Sequence, residues 1–209
     1  MLEVVAPIGQ CDAKGGNGFI YPCEVFREAV EKQFLPIVRK GMAYGELDHP
    51  DMSACPKDGS QFCDKRQMDV HLKNASHRFL DVWWKGNILY GKFQTLPTPA
   101  GQIVYNLLKI AKAPVGISLR AMGSVKQLPN GDRVVTAMAL KTFDIVSVPS
   151  YSVAVAEPIT ESLIASTLNK TECLDGSCLI PLAESKGFNK ESVIELLAKD
   201  AISSVIYAI

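Results

Sequence analysis

The feature that most constrains this chain is a tetrapeptide, Pro129-Asn130-Gly131-Asp132, set between two strand-like runs at 124–128 and 133–139. An Asn-Gly pair accepts the positive φ angles of a two-residue turn whose twist matches that of paired strands. The segment therefore predicts an antiparallel hairpin. A second hairpin is predicted where Val82-Trp83-Trp84 and residues 88–95 flank Lys85-Gly86-Asn87. Trp83 and Trp84 read there as large aromatics packing on the core. Further strands are expected at 115–121 and at 143–148, the latter stopped by Pro149.

Helices punctuate this β pattern. Tyr21-Pro22 opens a run with Val25, Phe26, Ala29, Val30 and Phe34 at helical spacing, which Pro36 is expected to kink or end and Gly41 to stop. The segment 97–101 introduces a second helix carrying Ile103, Val104, Leu107, Leu108 and Ala111. Residues 50–66, rich in Pro, Asp, Ser, Lys and Gly, read as an exposed loop. Composition shifts after about residue 156. The organisation expected is an α+β domain over 1–156 and a tail over 157–209, whose terminal helix has Asn189 as N-cap.

At 209 residues the chain can bury one substantial core. Its 22 basic and 22 acidic residues cancel, so charge supplies no case for nucleic acid or an anionic membrane as partner. No apolar run reaches the length of a membrane span, and a cytosolic setting is expected. The six cysteines, at 11, 23, 55, 63, 173 and 178, are then expected as reduced thiols. Cys55, Cys63, His71 and His77 lack the close Cys-x2–4-Cys spacing of a structural zinc site, so neither metal nor cofactor is expected.

Chemistry concentrates in three places. The hexapeptide at 45–50, GELDHP, holds His49 on an extended or turn backbone, because Pro50 disfavours helix at the residue before it. Histidine is the side chain suited to moving protons near neutral pH. Ser118 lies between Gly116 and Gly123 in VGISLRAMGS, and Arg120 shares its strand face two residues on, where it could support an oxyanion by charge. Asp144 interrupts the apolar strand at 143–148, where a carboxylate needs a partner: a histidine to orient, or an ordinary Arg or Lys. Together His49, Ser118 and Asp144 supply base, nucleophile and orienting acid. Asp48, although adjacent to His49, is not expected to be that acid. His71 is expected to be structural or near the substrate, and His77 to lie at the surface.

These blocks, NGFIYPCEVFREA at 17–29, GELDHP at 45–50, WWKGNILYG at 83–91 and VGISLRAMGS at 115–124, occur in order. They resemble the prohead core protease of tailed bacteriophages, the myovirus-type capsid maturation serine protease related to the herpesvirus assemblins. The resemblance implies a mainly antiparallel, barrel-like β core flanked by helices. It implies a serine endopeptidase that cuts scaffold and capsid precursors, and itself, inside the prohead in the host cytoplasm, and a homo-oligomer. His49, Ser118 and Asp144 match base, nucleophile and third member, and Arg120 matches the arginine after the family serine. The assemblins use a second histidine as third member, which leaves His71 as the alternative to Asp144. The family often has Ser-Ser-Arg-Gly where this chain has Ser118-Leu119-Arg120-Ala121. Cleavage after Leu-x-Glu or Ile-x-Glu would make Glu161 and Glu184 self-processing sites. A core protein that keeps the fold without catalysis is the alternative from another class.

Overall fold

The computed structural model describes residues 1–53 and 61–158. Residues Glu3–Pro158 form one compact unit. The expected terminal helix and the two candidate cleavage sites, Glu161 and Glu184, lie outside the described residues. Among the described residues no helix is long and apolar enough to cross a membrane.

Two four-stranded sheets carry the fold. The first is antiparallel, in the order β1 (Glu3–Gln10), β5 (Ile88–Thr95), β4 (Ala75–Lys85), β3 (Tyr44–Glu46). The second has the order β2 (Phe19–Ile20), β7 (Arg133–Val146), β6 (Val115–Gln127), β8 (Val155–Ala156), with only the short β2 parallel to its neighbour. Both predicted hairpins are present, as β4–β5 and β6–β7. β6 and β7 are each one long strand where the sequence suggested two. Register shifts at Arg120/Ala121 and Ser124/Val125 bend the pair without ending it, which is why the alternation lapses there.

The sheets do not close into the expected barrel. Leu47 makes an isolated parallel bridge to Ile145, joining the end of β3 to β7. β3 stops after three residues because the chain turns away at Asp48, whose φ is 62°. The space between the sheets is filled by Phe34, Phe79, Phe93 and Phe143, all fully buried. Their rings meet at 5.1 to 5.9 Å, mostly edge to face. Such pairs add about 1 kcal/mol each beyond their buried area.

Several local expectations are corrected. The first helix is not ended by Pro36. It runs from α1 (Cys23–Ala29) through a π-helical turn at Val30–Phe34 into α2 (Leu35–Arg39), where Pro36 occupies the first turn and its missing N–H matters little. The supposed loop at 50–66 ends in a helix, α3 (Gln61–Met68), whose three apolar residues, Phe62, Cys63 and Met68, do not fall at helical spacing and so offer no apolar stripe to read. The helix α4 (Pro99–Tyr105) does start as expected, capped by Thr98. Of the two tryptophans, only Trp84 turns inward, edge-on to Phe26. Trp83 faces outward and stacks on Tyr90, as strand alternation requires. Cys11 and Cys23, expected as free thiols, are joined in a disulfide that ties the end of β1 to the start of α1.

Candidate active site

Strand register alone brings two of the singled-out residues together. Ser118 on β6 is the direct antiparallel partner of Asp144 on β7, so both side chains stand on the same face of the sheet. Ser118 is 7% exposed and Asp144 fully buried. The third residue arrives from the other sheet. After Glu46, Leu47 bridges Ile145 and the Asp48 N–H donates to the Ile145 carbonyl at 2.7 Å. This fastens the chain beside Asp144, and the left-handed turn at Asp48 swings His49 over the Ser118–Asp144 pair. Asp48 itself is exposed.

His49 then connects both partners. Its Nδ1 is 2.7 Å from Asp144 Oδ2 and its Nε2 is 3.0 Å from Ser118 Oγ. With Nδ1 as the donor to the carboxylate, Nε2 is left as the acceptor for the serine hydroxyl. The His49 side chain keeps 39% of its surface open while the carboxylate beneath it has none. The arrangement is therefore reachable from outside but anchored from within.

A buried carboxylate must be compensated. Asp144 Oδ1 accepts the Glu46 N–H at 2.9 Å and Arg120 Nη2 at 3.0 Å. Arg120 Nε lies 2.9 Å from Oδ2, a charge contact whose angle falls short of a hydrogen bond. The Arg120 guanidinium is fully buried and also donates to the Asp69 carbonyl at 3.0 Å. It is thus committed to Asp144 and the Asp69 carbonyl, where the sequence suggested support of an oxyanion by charge. Both options foreseen for Asp144 are realised at once: a histidine on one oxygen and an arginine spanning the two.

The other histidines are placed differently from expectation. His71 is exposed and caps a short 3₁₀ turn (Leu72–Asn74); its backbone N–H donates to Glu46 Oε1. Among the described contacts its ring does not enter the Asp144–His49–Ser118 line. His77, expected at the surface, is fully buried on β4 between Phe79 and Phe93. Its Nδ1 is 2.9 Å from Ser76 Oγ. Burial pulls its pKa down to about 4, against the pull of the Asp144 charge and the Phe143 carbonyl.

Glu46 and Arg66 were not singled out from the sequence. Glu46 is buried, and Arg66 from α3 grips its carboxylate with both Nη atoms, at 3.2 and 2.7 Å. Burial pushes the Glu46 carboxyl upward, but Arg66, the His71 N–H and Arg120 together outweigh it and hold it below its ordinary value. A lone glutamate among Gly45, Leu47 and Asp48 carries no signal of this in sequence.

The family model described as prohead core protein serine protease matches residues 6–164. A prohead core protein protease of Enterobacteria phage T4 is 28% identical over 129 residues, covering 60% of this chain and 53% of the relative. The match thus spans about half the length of that curated relative. A solved structure titled as the bacteriophage T4 capsid assembly protease, gp21, aligns with a TM-score of 0.58 at 23% identity, over 69% of this chain and 80% of the other. That likeness supports the two-sheet α+β fold.

Proposed function

The chain belongs to the prohead core protein serine protease family of phages, and from that premise we propose that it is a serine endopeptidase of capsid maturation, with Ser118 as nucleophile. The observation that carries the reading is the continuous hydrogen-bonded line from Asp144 through His49 to Ser118. His49 Nε2 takes the hydroxyl proton as Oγ attacks the scissile carbonyl, and the same imidazole returns the proton to the leaving amine. Asp144 fixes the tautomer and faces the imidazolium that forms. Because the Arg120 guanidinium is held by Asp144, its role is to position that acid, and the oxyanion is left to backbone N–H donors near Ser118. Water and His49 then release the acyl group.

The substrates are scaffold and capsid precursors inside the prohead, in the host cytoplasm, and the chain's own tail after Glu161 or Glu184. The test is incubation of wild type and Ser118→Ala with the cognate scaffold and capsid precursors. Discrete fragments from wild type alone are expected. Equal cleavage by both, or none by either under assembly conditions, would count against the proposal.

A further inference from the structure

We infer that Glu46 and Arg66 are positioning residues that set the catalytic acid through Arg120, a role that rests on the proteolytic reading of Asp144, His49 and Ser118. Glu46 reaches Asp144 by two routes. Its backbone N–H holds Oδ1 at 2.9 Å, and its carboxylate lies 3.7 Å from Arg120 Nη2, the atom that donates to the same Oδ1. Arg66 in turn grips Glu46 by a bidentate fork. The Asp69 carbonyl closes the ring, accepting from Arg66 Nη1 at 2.9 Å and from Arg120 Nη1 at 3.0 Å. Each Arg120 terminal nitrogen is therefore fixed, one on Asp69 and one on Asp144.

Two acids and two arginines alternate in this cluster, so its charges balance in the dark of the protein interior. That balance decides how much attraction Asp144 can offer when His49 gains a proton. The groups facing His49 directly are Asp144 and Ser118; Arg120 and Glu46 stand behind Asp144, buried His77 feels the charge of Asp144, and exposed Asp48 is the next residue in the chain. Removing the Glu46 charge leaves two guanidiniums against one carboxylate and disfavours the imidazolium. Removing the Arg66 charge leaves two carboxylates against the single Arg120 guanidinium and favours it. Arg66 belongs to α3, so docking of that helix is coupled to the geometry and charge of the triad.

The test uses the full chain as wild type, Glu46→Gln, Arg66→Gln and the double variant, each confirmed folded by thermal unfolding. Glu46→Gln should lower kcat about tenfold with little change in KM, because positioning and not binding is lost. The acid limb of the kcat/KM profile should move to lower pH in Glu46→Gln, to higher pH in Arg66→Gln, and return towards wild type in the double variant. The His49 Nδ1–H proton resonance, assigned with a His49 variant, should move in opposite directions in the two single variants. Loosened packing alone would shift both the same way. If Glu46→Gln does not fold, Arg66→Gln, at the partly open outer end, carries the test. Unmoved limbs and resonance, or shifts of the same sign, would overturn the inference. A chain that cuts no substrate yet shows the opposed resonance shifts would remove the proteolytic reading and leave the positioning network standing.

Discussion

Ser118 and Asp144 are direct cross-strand partners on β6 and β7, and His49 bridges them from the end of a strand in the other sheet. The site is thus an outcome of sheet register: a one-residue slip of β6 against β7 would turn Ser118 to the opposite face. In the proposed mechanism Asp144 serves chemistry and stability together, because it also neutralises the fully buried Arg120. Asp144→Asn should therefore lose activity and also about 3 kcal/mol of folding free energy, since breaking one side of a buried pair strands the other charge. Ser118→Ala should lose activity with stability within about 1 kcal/mol of wild type. Urea unfolding of both variants separates the two effects; equal stability would contradict the role given to Arg120.

Gly45 is required by close approach. A Cβ there would collide with the buried ring of His77 and the Phe143 carbonyl, neither of which has room to retreat. Gly45→Ala should cost roughly 2 to 3 kcal/mol and displace the Glu46 N–H from Asp144, reducing kcat as well. A variant with native stability and native kcat would refute this packing argument.

His77 gives the fold a defined acid sensitivity. Its folded pKa, about 4, lies below the ordinary value of 6.5. Between those values the unfolded chain binds the extra proton, so stability falls as pH is lowered from 6.5 and the loss levels off below about 4. The total is about 3 kcal/mol. The difference in unfolding free energy between wild type and His77→Gln, measured from pH 7.5 to 4, should follow this window. Parallel curves would exclude it.

Self-processing predicts a mass change. Wild type kept under conditions that support cleavage should lose the residues after Glu161 or Glu184, and Ser118→Ala should stay whole. A tail cut equally in Ser118→Ala would assign that cut to another protease.

How much of this was legible in sequence depended on how local the signal was. The Asn130-Gly131 turn and the Lys85-Gly86-Asn87 turn announce both hairpins because turn chemistry is carried by adjacent residues. The His49, Ser118 and Asp144 candidates stood out as polar groups in constrained or apolar surroundings. What failed was non-local. His77 next to Arg78 reads as surface, yet β4 places its ring between Phe79 and Phe93, from neighbouring positions on two strands. Arg120 reads as charge support for an oxyanion beside Ser118 until the register sets it diagonally across from Asp144. α3 has no apolar period, and Arg66 and Glu46, 20 residues apart, meet only in the folded chain.

The most direct test of the catalytic assignment is covalent labelling with a fluorophosphonate, followed by peptide mapping. Wild type should carry the adduct on Ser118. Ser118→Ala should carry none, and His49→Ala, altered at an exposed side chain and therefore folded, should label slower by about 10³-fold or more. An adduct on another residue, or a labelling rate unchanged in His49→Ala, would contradict a nucleophile at Ser118 activated by His49.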